Sequence, residues 1–219
     1  MNKRLIDLSH TIEDGLITYK GLPAPIVCDF LKREDSEPHY ASGTQFQIAR
    51  IDMVVNSGTY VDAPSHRYAD GKDISELPLV SLANLETVVV HRDYHQGRAT
   101  DALAFQNVDV EGKAVLIHTG WSEHWNTEQY FENHSFLTED AAIYLRDHGA
   151  VFVGIDSLNI DDTTVGSRPV HTILLKHEIP ICEHLTNLGA LPDSGFKFFA
   201  VPVKVKAVGS FPVRAFGVV

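Results

Sequence analysis

The sequence predicts a mixed-sheet α/β or α+β fold in one domain. Three observations predict it. Strand-like runs dominate the first half of the chain, helical patterns appear only later, and the strands are not regularly separated by crossover helices. No internal repeat, low-complexity tract or linker-like stretch divides the 219 residues.

Each element has its own reason. "RLIDLSH", residues 4–10, alternates apolar and polar positions as a half-buried strand does. "FQIARIDMVVNSGTYVDA", residues 46–63, is β-branched and near-continuous, and "ETVVVHRDY", residues 86–94, reads as a short buried strand. "TEDAAIYLRDHG", residues 138–149, opens with a Thr138 N-cap and Asp140 in its first turn, repeats apolar residues at helical spacing, and stops at Gly149. "AVFVGIDSLNID" is a strand entering a loop. "SRPVHTILLKHE", residues 167–178, places Ser167 and Pro169 at a helix start ahead of an apolar stripe. "IPICEHLTNL" is a short strand or turn, and the segment from Phe196 to Val219 looks like two late strands.

Composition narrows the function classes. The residues are 44% hydrophobic, enough for a sizeable core, and 29 acidic against 18 basic side chains give a net charge of −11. Such a chain repels phosphate backbones and anionic lipid, so neither nucleic acid nor membrane is expected as a partner. No apolar run has the length of a membrane span, and "MNKRLIDLSHTIEDG" carries no apolar stretch after its basic residues, which argues against a secretory leader. Cys28 and Cys182 are far apart and lack metal-ligand spacing; two buried free thiols in a cytoplasmic protein are expected. No Gly-rich phosphate-cradling loop points to a nucleotide cofactor.

The chemistry concentrates in "NSGTYVDAPSH", residues 56–66. If 54–62 is a strand, Asn56, Gly58, Tyr60 and Asp62 share one face. Pro64 imposes an extended residue before it and a turn after it, returning His66 toward Asp62. An Asp with a His suits a divalent metal or a carboxylate-oriented base. From spacing alone, an Asp capping the turn and a His bonded to it is an equal reading. His171, in the first turn of a predicted helix, and Glu183, at the end of "IPICE", are twelve residues apart, a separation that a helix and a return strand span. A helix-capping His and a surface Glu is the plain alternative there.

Taken together, these segments resemble the cyclase family of metal-dependent hydrolases, which includes bacterial kynurenine formamidase and isatin hydrolase. The family signature, His-x-Gly-Thr-His-x-Asp-x-Pro-x-His, stands here with Asn56 and Tyr60 in place of its first two histidines and with Gly58, Thr59, Asp62, Pro64 and His66 in place. "DLSHTIEDGLITYKGLP", "HRYADGKDISELPL", "VLIHTGWSEHW", "LTEDAAIYLRDHGAVFVGIDS" and "RPVHTILLKHEIPICEHLTNL" are similar to further family segments in the same order. The resemblance implies a swivelling β/β/α-type mixed sheet assembled as homodimers or homotetramers, a divalent metal, and hydrolysis of an amide or cyclic amide in a small molecule.

Carried over by position, Asp62, His171 and Glu183 would be metal ligands and His66 the proton-transfer residue. The two replaced histidines weaken a zinc site, since an Asn carbonyl is a weak donor and Tyr ligates only when ionised. One ion, Zn²⁺ or Mn²⁺, held by the remaining set is therefore expected. Tyr60 would donate a hydrogen bond to a developing oxyanion, while Asn56, Trp121 and His10 would contact substrate. For Trp121, Trp125 and Tyr130 ordinary core packing competes with a substrate role, and for His10 a surface position at a strand end does. Two other classes stay open: a metal-independent lyase or ring-closing enzyme shuttling protons through Asp62, His66 and Tyr60, and a non-catalytic binder of small molecules.

Overall fold

The computed structural model describes residues 3–219. Its centre is four parallel strands, β5 (Leu85–His91), β7 (Ala114–His118), β9 (Phe152–Ile155) and β10 (Ile181–Glu183). Antiparallel strands extend both sides. On one lie β11 (Ser194–Phe199), β13 (Phe216–Val218) and β1 (Leu5–Asp7); on the other lie β4 (Tyr60–Asp62) and β12 (Ser210–Pro212). The nine-stranded order is β1-β13-β11-β5-β7-β9-β10-β4-β12. A bridge between Ser9 and Leu185 ties the chain just past edge strand β1 to the end of β10, so the sheet curls back on itself. This is the mixed α/β, swivelling β/β/α-type sheet that the sequence predicts.

The apolar runs are nearly continuous because both sheet faces are buried. On β7, Ala114 and Leu116 enter the core inside the curl, whereas Val115 and Ile117 enter the core under the helices. On β10, Cys182 faces the first core and Ile181 the second. The second core is covered by α2 (Glu139–Asp147) and α3 (Pro169–Lys176), which present Ala141, Ala142, Leu145, Val170, Leu174 and Leu175. Pro169 opens α3 as the sequence predicts, but its backbone donors are capped from elsewhere.

Three expectations need correction. The apolar stretch 46–63 is not one strand: β3 (Ile48–Asp52) and β4 are separated by bends, and Gly58 adopts φ +65° where a Cβ would stand 2.6 Å from Ile12 Cγ1. Asn56 therefore lies off the strand that carries Tyr60 and Asp62. The C-terminal segment makes three short strands rather than two, broken by the turn before Ser210. Cys28 is exposed, because β2 (Ile26–Leu31) and β3 form a separate two-stranded ribbon whose residues nearly all face outward; Cys182 alone is buried. Short pieces complete the chain: α1 (Arg33–Ser36), and β6 (Ala99–Thr100) paired with β8 (Phe136–Leu137). No helix among the described residues is long and apolar enough to cross a membrane.

Candidate metal centre

Register builds the site. In the antiparallel β4–β10 pair, Tyr60 lies opposite Glu183 and Asp62 opposite Ile181. Cross-strand partners share a face, so Tyr60, Asp62 and Glu183 all point to the side where Ile181 meets the helices. The first turn of α3 lies on that side and delivers His171. Its Nε2 stands 3.6 Å from Asp62 Oδ2 and 3.5 Å from Glu183 Oε1. Four side chains from two distant segments thus converge, with His66 Nδ1 3.8 Å from Asp62 Oδ1.

The surrounding groups hold each member in place. Asp161 Oδ2 accepts from His171 Nδ1 at 2.6 Å and from the His171 backbone N–H at 3.1 Å, while Oδ1 accepts from the Val170 N–H at 2.8 Å. One carboxylate therefore caps α3 and fixes the imidazole tautomer, leaving Nε2 toward Asp62 and Glu183. Glu183 accepts from Tyr60 Oη at 2.6 Å, the Ile160 N–H at 2.7 Å and Asn159 Nδ2 at 3.3 Å. Asn159 Nδ2 also reaches Tyr19 Oη at 2.6 Å. Ser210 donates to Asp62 Oδ1 and lies 3.0 Å from His66 Nδ1. With the serine proton spent on the carboxylate, His66 donates from Nδ1 and keeps a lone pair on Nε2. Gly209 makes this approach possible, since a Cβ there would stand 2.5 Å from His66 Cα.

These residues fit a divalent ion. Asp62 Oδ2 is buried and has no hydrogen-bond partner among the described residues, a costly state for a carboxylate oxygen. The 3.5 and 3.6 Å separations around His171 Nε2 exceed hydrogen-bonding distance. They match the spacing of about 3.3–3.6 Å between neighbouring ligand atoms on a tetrahedral ion with bonds of about 2.0–2.2 Å. One ligand atom each from Asp62, His66 and His171 falls within 4.8 Å of the others, a set that includes His66 and not Glu183.

Electrostatics point the same way. Burial disfavours the charged His171 ring, yet its bond to Asp161 and the nearby Asp62 and Glu183 carboxylates outweigh burial and push it up to about 10. Glu183 is raised to about 7 by burial and by Asp62, against the opposing effect of His171. Without metal, His171 carries the cation that the two carboxylates demand, so an incoming ion must displace its proton. Between pH 7 and 10, ion binding is therefore expected to release about one proton and to strengthen roughly tenfold per pH unit. Below pH 7 the dependence steepens as Glu183 also takes up a proton. Calorimetry in buffers of different ionisation enthalpy measures the release; binding with no proton exchange would contradict it.

The other sequence-predicted residues are placed differently. Tyr60 is 2% exposed, its phenol is held neutral by burial and by Glu183, and its hydroxyl is committed to that carboxylate rather than facing open space. Trp121 is 3% exposed, donates to the Tyr130 carbonyl at 3.1 Å, and packs with Tyr130 and Leu158, away from the cavity. His10 stacks on Trp125 at 3.9 Å between centroids, and burial lowers it to about 4. Asn56 is half-buried and makes no side-chain hydrogen bond among the described residues. Asp161, Ser210, Asn159 and Tyr19 were not singled out by the sequence. "LNIDD" shows polar residues after a buried strand, but nothing ranks Asp161 above Asp156 or Asp162.

A cavity of about 420 Å³ opens onto the centre, lined by the buried His171 and Asn159 and by the more exposed His66, Arg67, Arg168 and Glu139. The family model described as "Putative cyclase" matches residues 6–162. The chain belongs to the cyclase family. Across 96% of its length it is 24% identical to a kynurenine formamidase of Bacillus cereus, of which 95% is covered. A solved structure described as a potential metal-dependent hydrolase with cyclase activity superposes with a TM-score of 0.80 at 26% identity, covering 99% of this chain and 98% of that one. Isatin hydrolase A of Labrenzia aggregata gives a TM-score of 0.84 at 20% identity over 99% and 94% of the two chains, a likeness of fold.

Proposed function

We propose that this cyclase-family protein is a metal-dependent hydrolase of a small-molecule amide or cyclic amide, using one Zn²⁺ or Mn²⁺ ion held by Asp62, His171 and Glu183. The observation that carries the reading is the buried, unpartnered Asp62 Oδ2 facing His171 Nε2, itself oriented by Asp161. A bound ion supplies Lewis acidity to the carbonyl and lowers the pKa of water. His66, whose side chain is 38% exposed at the cavity, takes a proton at Nε2 and returns it to the leaving nitrogen. Ser210 relays the negative charge of Asp62 to His66 and stabilises the imidazolium formed. Tyr60 positions Glu183 and keeps it from turning, a supporting role in place of direct oxyanion contact. The kynurenine formamidase and isatin hydrolase relatives support C–N bonds of aryl formamides and cyclic amides as the targets.

Turnover of an N-aryl formamide or of isatin that stops on chelation and returns with Zn²⁺ or Mn²⁺ is the expected result. Undiminished turnover by metal-free protein would favour proton shuttling instead.

The protein acts as a homodimer or homotetramer in the cytoplasm. The β2–β3 ribbon supports assembly: Ile26, Phe30 and Ile48 are exposed on it, with Phe30 at 75%. A two-stranded ribbon is marginal alone, and an apolar patch of this kind marks an interface. Phe30→Glu is expected to lower the mass measured by light scattering to that of a monomer; an unchanged mass would remove this support. The exposed Cys28 thiol suits a reducing compartment.

A further inference from the structure

A second histidine pair lies outside the candidate metal centre. His91 and His118 end the neighbouring parallel strands β5 and β7, directly opposite each other in register. Their Nδ1 atoms are 2.9 Å apart. Behind His91, Nε2 is 3.0 Å from Asp193 Oδ1; behind His118, Nε2 is 4.0 Å from Asp156 Oδ2. Asp156 is fully buried and fixed by the Thr119 and Gly120 backbone N–H groups at 2.8 and 2.9 Å. A Cβ on Gly189 would stand 3.0 Å from His118 Cε1, so the loop leading to β11 packs tightly on that ring.

Proton counting shows what this arrangement can hold. Two neutral imidazoles carry two N–H protons. The His91 proton belongs on Nε2, bonded to Asp193, and the His118 proton sits either on Nδ1, donating to His91 Nδ1, or on Nε2, which leaves both Nδ1 lone pairs bare. In the second tautomer a metal cation takes the place of the shared proton. Asp193 behind His91 is the arrangement that orients histidine toward a metal, whereas Asp156 adds negative charge 4.0 Å from His118 without a hydrogen bond to it.

The spacing selects the ion. Bonds of about 2.0 Å at a right angle put cis ligand atoms about 2.8 Å apart, as in tetragonal complexes of Cu²⁺ or Ni²⁺. A tetrahedral ion needs about 3.3 Å or more. The 2.9 Å pair matches the first geometry, whereas the 3.5 and 3.6 Å separations around His171 match the second. A cavity of about 280 Å³ beside the pair, bordered by Asp93 and Glu123, gives water access to the remaining positions and adds negative charge. It opens at the carboxyl ends of parallel strands, where α/β sheets bind ligands.

We propose that His91 and His118 form a second metal site, which takes a tetragonal divalent ion of the Cu²⁺ and Ni²⁺ class through their two Nδ1 atoms. The site is independent of the amide-hydrolase reading.

The test titrates metal-free protein with Cu²⁺ and follows the electron paramagnetic resonance spectrum. One equivalent is expected to give a tetragonal signal split by two imidazole nitrogens. His91→Ala and His118→Ala should each weaken that species more than about 100-fold, beyond the 10–100-fold effect of an outer-shell change, and Asp193→Asn about tenfold. His171→Ala should leave it unchanged. The His91 side chain is 49% exposed, so its removal spares the core and decides the matter if the His118 variant folds poorly. A signal that survives in His91→Ala, or that disappears in His171→Ala, would overturn the assignment, and the pair would then hold only a shared proton.

Discussion

Asp62→Ala protein is expected to purify without its divalent ion and to lose more than about 10⁴-fold in kcat, because one side chain serves both halves of the centre. Oδ2 faces His171 Nε2 at 3.6 Å as a proposed ligand, and Oδ1 accepts the Ser210 hydroxyl that lies against His66. Removing the carboxylate deletes a ligand, releases the serine, and leaves His66 free to change tautomer. His66→Ala separates the two functions. It should cost about 10²–10⁴-fold in kcat while elemental analysis still finds the ion. Full ion content and full rate in Asp62→Ala would show that the ligand set is wrongly drawn.

Asp161→Asn is expected to have the largest effect on stability. Asp161 Oδ1 and Oδ2 accept the Val170 N–H, the His171 N–H and the His171 ring Nδ1. An amide keeps one acceptor and turns an NH₂ group toward donors. Bonds to a buried carboxylate are each worth about 1.5–3 kcal/mol, so a loss of about 3 kcal/mol is reasonable. For a chain of this size that lowers Tm by about 6–12 °C. The imidazole also loses the acceptor that fixes its tautomer, so ion affinity should fall about 10–100-fold. Scanning calorimetry of the chelated protein isolates the first effect, and metal titration the second. An unchanged Tm would mean that water replaces the cap.

Much of the fold was legible in the sequence because burial on both faces writes near-continuous apolar runs into β5 and β9, and because Pro169 and Gly149 mark helix ends. The break inside 46–63 was not legible. Its apolar residues read as a strand, but half of them serve an outward-facing ribbon, and exposure leaves no mark on a β-branched run. The convergence of Asp62, Glu183 and His171 came from family resemblance, since spacing alone slightly favoured a helix-capping His and a surface Glu. Ser210 was invisible for a topological reason: it reaches Asp62 through the β4–β12 pairing, 148 residues along the chain. Trp121 misled because an aromatic followed by polar residues has the same appearance in a core as in a binding site.

The proposed metal ligands rise from β4, β10 and the capped helix α3, and the proposed proton carrier from the turn just after β4, whereas Gly166, Ser167 and Arg168, which border the cavity, belong to the connection preceding α3. Reactivity and selectivity are therefore encoded in separable stretches. Exchanging that connection for a relative's should retune which molecules are accepted while the melting profile and the reaction type carry on as before, making this border the natural place to graft new specificity.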